Sequence, residues 1–195
     1  MGKRLLVLTA VFLLGIVTLC SAATNIRIAA SVGEIHQMNV VLNKVVGSTW
    51  TPIANLAGEG MDFGSLTKGT DNVFRSTAYF VVDAPVTSNR STWTITHSAS
   101  DFTNGTSNLN TNTNVKFVKV DNSTNAESQL ASNGFISYQL AKTRAPVQST
   151  ELTGGRLRLY YSLAGGSGDA SGVSVITTST PTGTYTGTVT LTLSP

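Results

Sequence analysis

The chain is poor in the side chains from which most catalytic and metal sites are built. Its 195 residues include one cysteine, Cys20, and two histidines, His36 and His97. This set cannot form the His and Cys clusters of structural zinc sites, and beyond Cys20 no thiol is left for a Cys–His nucleophile pair. We therefore expect no metal, no cofactor and no enzymatic activity.

Charge is also scarce, because Asp, Glu, Lys and Arg make up only 12% of the chain. The ten acidic residues are scattered, and no D-x-D-x-D loop gathers oxygen ligands for calcium. Thirteen basic residues give a formal net charge of +3, which falls to about +1 without Lys3 and Arg4. A chain so nearly neutral lacks the basic footprint of nucleic-acid binding.

The N-terminus has the pattern of an export signal. Lys3 and Arg4 precede an apolar run from Leu5 to Leu19, and Ser21-Ala22-Ala23 supplies small residues for cleavage. A retained membrane anchor is the alternative, but it needs roughly 20 apolar residues. We expect residues 1–23 to be a cleaved signal peptide and residues 24–195 to form one domain. That domain would be exported to the cell surface, the medium or the periplasm, with no transmembrane anchor and no disulfide.

Alternating apolar and polar residues predict β-strands along the whole chain, and no helical pattern competes with them. The clearest case is Gly183 to Leu193, where every second residue is threonine. Arg156 to Leu163 alternates in the same way, with Leu157, Leu159 and Tyr161 on one face. The predicted strands are Asn25 to Val32, Met38 to Val46, Met61 to Leu66, Ser76 to Asp83, Thr92 to Ser98, Val115 to Val120, Gly134 to Ala141, Arg156 to Ala164, Gly172 to Thr177 and Thr184 to Leu193.

About ten strands joined by turns, without helical crossovers, predict an all-β fold, namely an antiparallel β-sandwich of Greek-key or immunoglobulin-like type. Pairs such as Asn104-Gly105 and Gly165-Gly166 supply the turns. His97 shares a strand face with Trp93 and Ile95, which predicts a packed imidazole rather than a catalytic one.

Three segments resemble known families of exported bacterial β-sandwich proteins. Met61-Asp62-Phe63-Gly64-Ser65-Leu66 is similar to a segment of spore coat protein U and of fimbrial-subunit-like proteins. Thr92 to Thr96, followed by Asp101-Phe102, resembles the first patch of WxL cell-wall-binding domains. Gly183 to Leu193 resembles the final strand of both groups. The resemblance implies a secreted, non-catalytic surface or filament subunit.

Self-association by strand pairing is the function that we expect first. The segment Thr24 to Val32 has the alternation of a strand that could be donated to a neighbouring copy. The side chains that would line its apolar face are Ile26, Ile28, Ala30 and Val32. The alternative for this segment is an ordinary first strand that pairs within its own domain.

A binding module for a cell-wall polysaccharide or another envelope component is the second function that the sequence allows. The aromatic residues that could serve it are Trp50, Trp93, Tyr160 and Tyr185. Each of them could equally belong to a core. Three N-x-S/T sequons in predicted loops, at Asn89, Asn104 and Asn122, are candidate glycosylation sites in a host that modifies exported proteins.

Overall fold

The computed structural model describes residues 33–54, 60–130, 137–140 and 145–195. Residues Glu34 to Pro195 cluster into one compact unit. Within the described residues the regular structure is β-strand, with two short 3-10 helices at Asn110–Asn112 and Ser149–Leu152 and no α-helix. The predicted signal peptide and the candidate donor residues Ile26, Ile28, Ala30 and Val32 lie outside this part of the chain.

The strands are short and all of their pairings are antiparallel. In chain order they are β1 (His36–Met38), β2 (Val41–Val46), β3 (Thr49–Ile53), β4 (Thr67–Lys68), β5 (Val73–Arg75), β6 (Ala78–Ala84), β7 (Val86–Ser88), β8 (Thr94–Ala99), β9 (Thr113–Asp121), β10 (Glu127–Ser128), β11 (Ser137–Gln139), β12 (Val147–Gln148), β13 (Gly155–Leu163), β14 (Ile176–Thr177) and β15 (Val189–Ser194).

The largest sheet, here called the main sheet, has the strand order β10–β9–β13–β6–β2–β3, with β11 also paired to β9. Its centre is β13, which alternates as the sequence predicts: Leu157, Leu159 and Tyr161 are buried. Arg158 and Tyr160 point to the opposite face, the outer face. The main sheet therefore has one apolar face and an outer face on which charged and aromatic side chains lie beside buried valines such as Val81 and Val118.

A second sheet, the edge sheet, has the order β12–β8–β15 and packs on the apolar face of the main sheet. One core cluster contains Phe80 and Leu159 from the main sheet together with Ile95 of β8 and Val147 of β12. His97 of β8 also packs against the main sheet, with its ring centroid 5.2 Å from that of Phe117 on β9. The all-β prediction is confirmed, and the arrangement is sandwich-like, because two sheets share one core.

Two smaller groups of strands complete the described structure. Strands β4, β5 and β14 form a three-stranded sheet, and β1 pairs with β7 as a two-stranded ribbon. Beside the small sheet, Leu109, Leu163 and Ile176 form a second apolar cluster.

Local strand boundaries differ from the prediction where glycine or a turn interrupts the alternation. Met61–Leu66 is irregular rather than a strand, because Gly60 and Gly64 adopt positive φ and the Asp62 carboxylate accepts a hydrogen bond from the Gly64 amide. The last strand begins at Val189, not at Thr184. Six short strands lie outside every predicted strand, namely β3, β4, β5, β7, β10 and β12. The predicted strand Asn25 to Val32 lies outside the described residues, and only 137–140 of Gly134 to Ala141 lie inside them.

Candidate strand-binding groove

Strand β15 has one strand partner in the described part of the chain, β8. The amide of Ser100 donates to the Thr188 carbonyl at 2.9 Å, which fixes the order of hydrogen-bonded and non-bonded pairs along the two strands. By that alternation, the backbone N–H and C=O groups of Val189, Leu191 and Leu193 point away from β8. The outer edge of β15 thus offers a row of main-chain donors and acceptors.

A β-bulge at Gly187 lies just before the first residue of β15. Thr103 and Thr186 exchange two backbone hydrogen bonds of 2.9 Å each, whereas the register from Ser100 and Thr188 onward is shifted by one residue. Two residues, Asp101 and Phe102, therefore lie opposite the single Gly187. A Cβ atom at position 187 would lie 2.9 Å from the Asp101 carbonyl oxygen. Only glycine permits this close approach of two backbones.

An apolar groove of about 510 Å³ runs beside the outer edge of β15. Its floor comes from the main sheet through Leu42 of β2 and Val82 of β6, and one wall is formed by Val189 and Leu191. We call this space the edge groove. It is lined by Val40, Leu42, Gly60, Met61, Val82, Tyr161, Gly187, Thr188, Val189 and Leu191.

Two further cavities continue the edge groove along the same side of the molecule. A small one of about 90 Å³ shares Met61 and Tyr161 with the groove, and a larger one of about 630 Å³ shares Met61 and Phe63 with the small one. Residues from Gly183 to Leu191 border the three spaces. At about 3.3 Å per residue, this border is roughly 30 Å long. The length suits one extended segment of about nine residues.

Tyr161 brings a buried hydroxyl group to the floor of the groove. The residue is 1% exposed, and among the described residues its hydroxyl has no hydrogen-bond partner. Burial raises the pKa of Tyr161 well above the usual value, so the group stays protonated and remains a donor.

We expect Tyr161→Phe to raise the free energy of unfolding by about 1 kcal/mol, because it removes a buried polar group that is not hydrogen-bonded. Tyr160→Phe is the matched control: the Tyr160 hydroxyl donates to the Glu127 carboxylate, so its removal should lower stability. Urea unfolding of a chain that begins at Gly33 measures both. A loss of stability in Tyr161→Phe would show that the hydroxyl already has a partner in the monomer.

The residues singled out in the sequence do not converge on one site. Asn89 and Asn122 are exposed, whereas Asn104 is partly buried. The Asn104 carboxamide oxygen accepts from the amides of Thr106 at 3.0 Å and Ser107 at 2.8 Å, so this side chain is already part of a turn. Asn89 and Asn122 therefore remain the more accessible of the three candidate glycosylation sites.

The four candidate aromatic residues divide between three surfaces. Trp93 packs against the core cluster, and Tyr185 borders the cavity of about 630 Å³, where its ring centroid lies 6.1 Å from that of Phe102. Trp50 and Tyr160 both lie on the outer face of the main sheet, where Trp50 is 42% exposed. Among the described residues no group of three or more His, Cys, Asp or Glu could hold a metal ion.

No helix in the described ranges has the length and apolar character needed to cross a membrane. In comparisons with known proteins, no family model matches the chain, and neither a curated protein nor a solved structure shows significant similarity to it.

Proposed function

We propose that this protein is an exported, non-catalytic structural subunit of a cell-surface or filament assembly, and that copies join by β-strand addition at the outer edge of β15. One observation carries the proposal: an edge strand that has no outer partner among the described residues lies beside an apolar groove. Exposed strand edges are templates for pairing with another chain, and soluble proteins usually cover or charge them. The edge residues Val189, Leu191 and Leu193 carry no charge.

The groove supplies both parts of a strand-recognition site. Main-chain groups of β15 provide hydrogen bonds that do not depend on the sequence of the incoming strand, and the apolar floor selects strands with alternating apolar side chains. Leu42, Val82 and Leu191 provide this selection. Full burial of one Ile or Val side chain contributes about 1.5–3 kcal/mol, so several such side chains would hold a strand firmly.

Residues 24–32 are the proposed occupant, donated by a second copy. The segment begins at the predicted cleavage site, and its nine residues match the roughly 30 Å border that Gly183 to Leu191 form along the edge groove and the two cavities that continue it. Ile26, Ile28, Ala30 and Val32 would face the floor, while Arg27 would face solvent.

We expect a chain that begins at Thr24 to form linear assemblies, and a chain that begins at Gly33 to remain a soluble monomer. Ile28→Asp should abolish assembly as the deletion does, because it places a carboxylate on the apolar floor. Arg27→Asp is the matched control on the opposite strand face and should assemble normally. Negative-stain electron microscopy and size-exclusion chromatography measure the outcome. Normal filaments from the shortened chain would refute the donor role.

A further inference from the structure

The outer face of the main sheet carries an aromatic cleft that strand addition does not use. Tyr79 of β6 and Tyr160 of β13 lie side by side, with ring centroids 6.3 Å apart and planes inclined by 36°. The Lys116 Nζ atom lies 5.5 Å from the centroid of the Tyr160 ring. Together these side chains border an open cleft of about 340 Å³, on the face opposite to the one that the edge sheet covers.

The opposite wall of the cleft is polar and is held in place by the fold. It is the loop Gly165 to Asp169, in which the Asp169 carboxylate accepts from the Gly166 amide at 2.7 Å and from the Asn114 side chain at 2.8 Å. Asn114 is only 8% exposed and also accepts from the Ala170 amide at 2.8 Å. The wall is therefore preorganised before any ligand arrives.

The aromatic surface continues across the sheet toward its edge. Trp50 of β3 and Tyr79 of β6 both lie opposite Val45 of β2, so the three residues form one row on the outer face. Val45 is fully buried, whereas Trp50 is 42% exposed. The Trp50 ring is supported by the Arg158 guanidinium, which lies 5.2 Å from the ring centroid. The aromatic surface is thus an extended stripe rather than a single pocket.

We infer that this stripe and cleft bind a neutral polysaccharide chain. A sugar ring presents apolar C–H groups that pack on aromatic faces, and its hydroxyls both donate and accept hydrogen bonds. Lys116 supplies a donor to the cleft and Asp169 an acceptor. Lys116 and Asp169 give the cleft one positive and one negative charge, so it offers no net attraction to an acidic sugar, and a purely apolar ligand would leave both charges poorly hydrated. The row from Trp50 to Tyr79 suits a polymer of several sugar rings.

Affinity electrophoresis tests the inference with gels that contain hydroxyethylcellulose, xylan, dextran or glycol chitin, and with alginate as the acidic comparison. All proteins carry Ile28→Asp, so that assembly does not affect migration. We expect retardation in at least one neutral gel and none in alginate. The double variant Tyr79→Leu/Tyr160→Leu should lose at least tenfold in affinity, because leucine covers the sheet but offers no flat ring.

Tyr185→Leu is the matched control, since it removes a tyrosine ring from a different cavity, outside the cleft, and should bind within about twofold of the parent. Thermal melting of each variant establishes that it is folded, and the single variants Tyr79→Leu and Tyr160→Leu replace the double one if it is not. Three results would overturn the inference: no retardation of the parent in any neutral gel, equal retardation of the leucine variants, or retardation by alginate alone. None of these results bears on strand addition, whose readout is filament formation.

Discussion

Gly187→Val is expected to lower the free energy of unfolding by about 3 kcal/mol, which is at the upper end of the usual range for single substitutions. A Cβ atom at this position would lie 2.9 Å from the Asp101 carbonyl oxygen and 3.1 Å from the Phe102 Cα atom. Both contacts are with backbone, so no side chain can rotate away to make room. The bulge would have to open, and the paired hydrogen bonds between Thr103 and Thr186 would be strained or lost.

Gly165→Ala is the control for Gly187→Val, because a Cβ atom at Gly165 would meet nothing within 4 Å. We expect this control to change stability by less than about 0.5 kcal/mol. Urea unfolding of both variants, followed by far-UV circular dichroism, provides the comparison. If Gly187→Val were as stable as Gly165→Ala, the bulge would not be needed to hold β15 against β8.

Asp83→Ala should have the second large effect, a loss of about 3 kcal/mol in the free energy of unfolding. The Asp83 carboxylate on β6 accepts two hydrogen bonds from the Arg158 guanidinium on β13, of 2.7 and 2.8 Å, and lies 3.6 Å from Arg156. The three side chains are only 13–17% exposed. The hydrogen bonds that Arg158 donates to Asp83 raise the pKa of Arg158. Removal of the Asp83 carboxylate would leave the two guanidinium groups in a poorly hydrated position, with Glu127, 3.2 Å from Arg158, as the remaining carboxylate.

Asp71→Ala is the matched control, because the Asp71–Arg75 pair is 52% and 39% exposed and water can replace the lost partner. Its effect on stability should be much smaller than that of Asp83→Ala. Replacement of both members, Asp83→Leu with Arg158→Met, should recover part of the stability lost in Asp83→Ala, since the guanidinium that pairs most closely with Asp83 is removed with it while Arg156 and Glu127 keep their charges. Equal effects of Asp83→Ala and Asp71→Ala would contradict this account of the outer face.

The sequence predicts the faces of the central strands well, because burial and alternation agree there. Leu157, Leu159 and Tyr161 on β13 follow a strict period of two, and His97 packs where its strand face predicts. The same period is misleading closer to the C-terminus. Thr184 to Thr188 alternates like a strand, yet the alternation carries no trace of the bulge at Gly187, which depends on the partner residues Asp101 and Phe102.

The edge groove could not be predicted from the sequence, since its shape depends on the order of strands in two sheets. Nothing local to Leu191 shows that its strand is an edge, and nothing near Tyr161 shows that its hydroxyl would be buried among apolar side chains. The Met61–Leu66 segment contained a usable signal: Asp62 followed two residues later by Gly64 is typical of a turn. The structure shows that turn and places Met61 and Phe63 beside the cavities.

Photo-crosslinking from β15 tests strand addition between copies most directly. A benzophenone amino acid replaces Thr190, an exposed residue of β15, in the chain that begins at Thr24. Copies that carry this residue are mixed with ¹⁵N-labelled copies that lack it, irradiated, and analysed by mass spectrometry. We predict a crosslink from position 190 to residues 24–32 of a ¹⁵N-labelled copy. Crosslinks confined to unlabelled residues 24–32, or to no part of that segment, would contradict assembly through the β15 edge.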